Sequence, residues 1–192
     1  SRPYDANKPV ICMDEKPFQL LDEQIQPIPL SEENHIKKYD SEYIRKGSCS
    51  VFMFTEPLGQ WREAHALLRR TSEDWAKQMK WLIDEVYPDA EKIVLVMDNL
   101  NTHTIASFYK VFSPEEAFRL AQKLEIHYTP KHGSWLDIAE IELSALTIQC
   151  LIGERIPSID KLNNILSSWS LKRNFSQKGV DWHFTTKDAR TK

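Results

Sequence analysis

At 192 residues, with 41% hydrophobic and 28% charged residues, the chain has the length and composition of one folded domain and excludes a disordered one. No apolar run approaches the roughly 20 residues of a membrane-spanning helix, the opening SRPYDANKP holds no secretory h-region, and three dispersed cysteines (Cys12, Cys49, Cys150) read as reduced thiols of a cytosolic or nuclear protein. The net charge of −3 excludes a surface given over wholly to nucleic acid, yet Glu154 to Lys192 carries eight basic and four acidic residues, which leaves 17 against 24 on the rest.

In chain order, Val10-Ile11-Cys12-Met13 is apolar at every position, as expected of a strand covered on both sheet faces, and it ends in Asp14-Glu15. Leu20 to Ser41 is rich in proline and charge and reads as a long loop. Ser50–Thr55 and Trp61–Leu68 form two strands of an antiparallel hairpin around Glu56-Pro57-Leu58-Gly59. Ser72 is placed to cap a helix running to about Val86, with Trp75, Met79, Leu82 and Ile83 at helical spacing. Ile93–Met97 is a second all-apolar strand, and it too ends in an acid, Asp98. Ser113-Pro114-Glu115-Glu116 starts a helix that runs to about Leu124, followed by a short strand, Ile126–Tyr128. Two further helices are expected, from Asp137 to about Ile152 and from Ser158 to about Arg173. The order defines an α/β domain: a mixed five-stranded sheet flanked by helices.

If the strands ending in Asp14 and Asp98 are parallel neighbours, both carboxylates emerge together at the sheet edge where α/β folds bind ligands. Paired carboxylates repel, and a divalent ion held by oxygen ligands relieves that repulsion; the alternative is two acids that merely end strands at the surface. Glu140 also has two readings. It stands three residues after Asp137, a capping-box spacing, or it is a ligand on a face shared with Leu143, Ile148 and Leu151. Glu142 falls about 160° away around the same helix, on a polar back face with Gln149.

The strings ICMDEKPFQLL, VLVMDNLNTHT and HYTPKHGSWLDIAEIELSAL resemble the three signature blocks of transposases of the mariner-like superfamily, in particular its bacterial insertion-sequence branch. The likeness extends from Tyr4 to about Arg190. It implies a ribonuclease H-like catalytic domain spanning residues 1–192, whose acidic triad falls on Asp14, Asp98 and Glu140, with Asp137 and Glu142 as alternatives for the third acid. It also implies N-terminal helix-turn-helix DNA-binding modules that this chain lacks. The expected activity is metal-dependent cleavage of transposon ends and strand transfer into target DNA, with two Mg2+ or Mn2+ ions bridged by Asp14. The expected partners are transposon-end and target DNA and a second copy of the chain in the active complex, with no membrane, in a bacterial cytoplasm near the nucleoid. Lys16, His103, Lys131 and His132 flank the blocks as candidate phosphate contacts or as solvated loop residues, and Trp135 is expected to anchor the helix start. Two other readings are a domesticated, non-cleaving DNA-binding protein on the same fold and a phosphoacceptor signalling domain.

Overall fold

The computed structural model describes residues 4–24, 42–100, 103–129 and 138–176. Its five strands are β1 (Val10–Glu23), β2 (Tyr43–Glu56), β3 (Trp61–Leu67), β4 (Ile93–Met97) and β5 (Leu124–Tyr128), in the order β3-β2-β1-β4-β5. The β1–β2 and β2–β3 pairs are antiparallel, whereas β1–β4 and β4–β5 are parallel. The mixed sheet expected from the sequence is present.

β1 is much longer than the expected Val10–Met13, and the pairing explains why. Over Val10, Ile11 and Cys12 it pairs with β4, with β2 joining from Cys12 onward, and Ile11, Cys12 and Met13 are buried between the two helical layers, so every residue is apolar. Its ladder with β4 stops at Cys12↔Val96, but the ladder with β2 continues to Glu23↔Tyr43. With no strand among the described residues paired on its second edge there, the strand tolerates Pro17 and alternates, placing Phe18 and Leu20 against the core while Pro17 and Gln19 are exposed.

Two apolar layers sandwich the sheet. On one face Ile11, Met13, Phe52 and Phe54 pack under α1 (Ser72–Trp81) and α2 (Pro114–Lys123). On the other, Cys12, Val51, Met53 and Ala64 pack under α3 (Ile138–Leu146) and α4 (Ile159–Phe175). The α1 cap is Thr71 rather than Ser72: its hydroxyl accepts from the Asp74 N–H while the Asp74 carboxylate accepts from the Thr71 N–H, a reciprocal box that the Ser72 reading misses by one residue. Ser113 and Ser158, where the sequence places the starts of these helices, cap α2 and α4. Both α1 and α3 end in a wider π-type turn, Leu82–Val86 and Thr147–Leu151.

α4 also covers the outer edge of β3. The Asn163 amide accepts from the Ala66 N–H at 2.7 Å and donates to its carbonyl at 3.1 Å, and Asn174 does the same for Arg62 at 2.9 Å each way. Two side-chain amides thus stand where a sixth strand would pair.

Beneath α3 lies a buried ion cluster. The Glu142 side chain is 2% exposed and its Oε1 lies 3.4 Å from Nε of Arg62, itself 1% exposed, and 3.0 Å from Nη2 of Arg173. This corrects the polar back face assigned to Glu142. The packed side of α3 is Ala139, Glu142, Leu143 and Leu146, and a charge can occupy it because β3 and α4 deliver two guanidinium groups. Replacing Glu142 by Gln leaves Arg62 buried without its counter-charge, and urea unfolding should show a loss of about 3 kcal/mol.

Candidate active site

Register and alternation together build the site. Extending the β1–β4 ladder two residues past Cys12↔Val96 brings Asp14 level with Asp98, on strands that no longer bond each other there. Side chains alternate along β1: Ile11 and Met13 face α1, whereas Cys12 faces α3. Asp14 therefore projects toward the α3 side and Glu15 toward the α1 side.

Asp14 is half-buried, and the Glu15 N–H donates to its Oδ1 at 2.7 Å. Burial pushes its pKa from 3.8 up to about 6; that hydrogen bond opposes the rise, and the charges of Asp98, Glu140 and Glu15 reinforce it. Asp98 is raised too, chiefly by burial and also by Glu15, against the lowering effect of His103 and Arg70. The three carboxylates named from the sequence thus converge on one electrostatic neighbourhood. Glu140 is exposed in the first turn of α3, and Ile141, Ser144 and Ile148 are exposed with it. The expectation of a packed face around Glu140 is overturned, because the apolar residues of α3 follow Glu142 into the core and leave Glu140 free on the open side.

Lys16, one alternation step beyond Asp14 on the same face, is exposed and donates from Nζ to Thr147 Oγ1 at 3.2 Å. It lies within the site's surroundings and is open to solvent. His103 is not: its side chain is 1% exposed, its ring stacks on Trp75 with centroids 5.8 Å apart, and its Nε2 lies 3.3 Å from Glu15 Oε2. A phosphate contact for His103 is corrected to a buried position behind the site. Lys131, His132, Trp135 and Asp137 lie outside the described residues.

Sequence reasoning missed Glu15 as a buried group. Its side chain is 3% exposed, with Oε1 3.1 Å from Nη1 of Arg70. The signal was alternation itself, which sends adjacent acids of one strand to opposite faces; the partners, distant in sequence, gave no local sign.

Among the described residues no three His, Cys, Asp or Glu side chains close tightly enough on one point to grip an ion. The donor chemistry nevertheless fits a hard divalent cation: all-oxygen carboxylates, two of them on adjacent strands, whose mutual repulsion is part of what raises Asp14.

Sheet order, flanking layers and carboxylates define a ribonuclease H-like α/β domain with an acidic site. Residues 9–163 match the family described as DDE superfamily endonuclease, and the chain belongs to that family. Among solved structures, it is similar to the Mos1 mariner paired-end complex with Mn (12% identity, TM-score 0.56, covering 89% of this chain and 52% of that one). It is likewise similar to the Mos1 strand transfer complex (11%, TM-score 0.58, 88% and 50%) and to the Mos1 transposase paired-end complex with left transposon end (12%, TM-score 0.57, 88% and 50%). At these identities the likeness is one of fold, and the chain spans about half the length of each match. No curated protein matches it in sequence.

The Asp14 shift sets a pH dependence. Because the folded pKa (about 6) exceeds the unfolded value near 3.8, the folded state holds the proton more tightly, so the favourable contribution is complete below pH 4 and lost as pH rises through 6. Metal-free Asp14→Asn should therefore match wild type in urea unfolding near pH 4 and exceed it by up to about 3 kcal/mol above pH 6.

Proposed function

We propose that this chain is the catalytic domain of a cut-and-paste transposase, which cleaves DNA phosphodiester bonds at transposon ends and joins the freed strands to target DNA. The observation that carries the reading is the alignment of Asp14 with Asp98 where the β1–β4 ladder ends, with Glu140 in electrostatic reach, in a member of the DDE superfamily endonuclease family.

Asp14, its carboxylate oriented by the Glu15 N–H, is suited to the central place between Asp98 on β4's end and Glu140 on α3. These three would hold magnesium or manganese, two ions in all, which supply Lewis-acid charge at the scissile phosphate and activate a water or a DNA 3′-hydroxyl. Glu140, on the open side of α3, is free to close on a substrate. Lys16, one alternation step beyond Asp14 on β1, presents an exposed ammonium and is read as a phosphate contact that fixes strand register, a role extended to Lys131 and His132. The DNA partners, an active homodimer and the bacterial insertion-sequence branch with action at the nucleoid belong to the same proposal. Among the described residues no helix is long and apolar enough to cross a membrane.

The antiparallel β1–β2–β3 half of the sheet speaks against a phosphoacceptor domain, and the retained acids speak against a domesticated, non-cleaving one.

The test is manganese-dependent nicking of the cognate ends by the full-length protein. Asp14→Asn, Asp98→Asn and Glu140→Gln should each lower the rate at least about 100-fold, since each lost charge removes several kcal/mol of transition-state stabilisation. Glu142→Gln should stay active at temperatures where it remains folded. An active Glu140→Gln enzyme would remove the third acid from this assignment.

A further inference from the structure

Behind the carboxylates, on the α1 face of the sheet, Glu15 stands at the centre of a buried cluster that the triad does not use. Its Oε1 meets Arg70 at 3.1 Å, its Oε2 approaches His103 Nε2 at 3.3 Å, and His103 stacks on Trp75, which in turn stacks on Phe108. Burying a carboxylate here is costly: among the described residues Glu15 Oε2 and both ring nitrogens of His103 have no aligned hydrogen-bond partner.

The location shows what such a cluster does. The β1–β4 ladder ends at Cys12↔Val96, so the backbone does not fix the spacing of the two strands at the level of Asp14 and Asp98. Glu15 belongs to β1, adjacent to Asp14, and its N–H holds the Asp14 carboxylate. His103 belongs to the segment that follows Asp98; its N–H bonds the Leu100 carbonyl at 3.0 Å, and its own carbonyl accepts from Tyr128 Oη on β5 at 3.3 Å. The Glu15–His103 approach therefore ties β1 to the Asp98 turn just beyond the last ladder pair. Asp98 also senses Glu15, His103 and Arg70 electrostatically.

We propose that Glu15 is a positioning residue, which through His103 and Arg70 sets the separation and orientation of Asp14 and Asp98 from the opposite face of the sheet. Glu15 does not touch substrate or ion; it acts through the two acids. The inference rests on the transposase reading and deepens it. Outer groups of this kind, which orient ligands, typically carry a 10- to 100-fold effect on metal affinity or activity.

The test compares full-length wild type with Glu15→Gln, Arg70→Gln, Asp14→Asn and Glu142→Gln, the last disturbing a buried ion cluster on the other face. Each is measured for Mn2+ affinity by calorimetry, for urea stability, and for kcat and KM in manganese-dependent nicking. Glu15→Gln should weaken Mn2+ binding at least about tenfold and lower kcat, with KM for DNA unchanged. Glu142→Gln should lose stability while keeping wild-type Mn2+ affinity. Arg70, exposed at the rim of the cluster, should show a smaller change of the same kind, and it carries the test if Glu15→Gln does not fold. Wild-type Mn2+ affinity and kcat in Glu15→Gln, or in Arg70→Gln should that variant alone fold, would overturn the positioning role and leave the transposase reading standing. Wild-type protein that does not bind Mn2+, or Asp14→Asn that binds it equally well, would remove both.

Discussion

The structure turns on the point where β1 parts from β4. Up to Cys12 and Val96 the two strands share backbone hydrogen bonds; beyond it β2 is the one strand still paired with β1 among the described residues, and β4 ends. A parallel pair that opens in this way leaves a notch at the C-terminal end of β4, and whatever side chains project there face each other without a ladder to hold them. The chain puts acids on both lips. Burial and like charge then make Asp14 an unwilling anion, and the metal-free fold carries that repulsion as a standing cost. Sites that must capture a cation accept this arrangement because the ion's arrival reverses its sign.

Charges are buried on both faces of the sheet, and they differ in kind. Under α3, Glu142 sits between Arg62 and Arg173, so the acid is outnumbered by guanidinium groups and the cluster fastens α3, β3 and α4 together. Under α1, Glu15 meets an exposed arginine, Arg70, and a histidine whose ring nitrogens lack aligned partners among the described residues. Both clusters leave buried polar atoms without aligned partners among the described residues, Glu142 Oε2 and Arg173 Nε in the first, Glu15 Oε2 and the His103 ring nitrogens in the second. They differ in charge balance and in place, and the second adjoins Asp14 along β1. A protein has little reason to keep an under-satisfied buried acid beside two others unless the position matters more than the stability lost.

Much of this was legible beforehand, for identifiable reasons. Val10–Met13 and Ile93–Met97 are apolar at every position, which marks buried neighbours, and an acid follows each, so the pairing of Asp14 with Asp98 could be read from the chain. The hairpin, the starts of α2 and α4 and the order of elements were also local matters. The extension of β1 to Glu23 was not, because past Asp14 its pattern depends on which edge is covered. The faces of α3 were misjudged for a related reason. A helical wheel places Glu140 and Glu142 on opposite sides but does not say which side meets the sheet, and the hydrophobic neighbours of Glu140 suggested the wrong one. Arg62 and Arg173, distant in sequence, decide it. His103 looked like a solvated loop residue and is buried against Trp75 of α1.

The two asparagines on α4 have a consequence for assembly. Arg62 and Ala66 are outward-facing positions of the sheet's terminal strand, and both their N–H and C=O groups are already engaged by Asn174 and Asn163. A second molecule arriving at that border finds its hydrogen-bonding vocabulary spent. Copies of the chain therefore cannot join at β3 into one continuous sheet without first prying the helix away, and a symmetric assembly has to be made elsewhere on the surface.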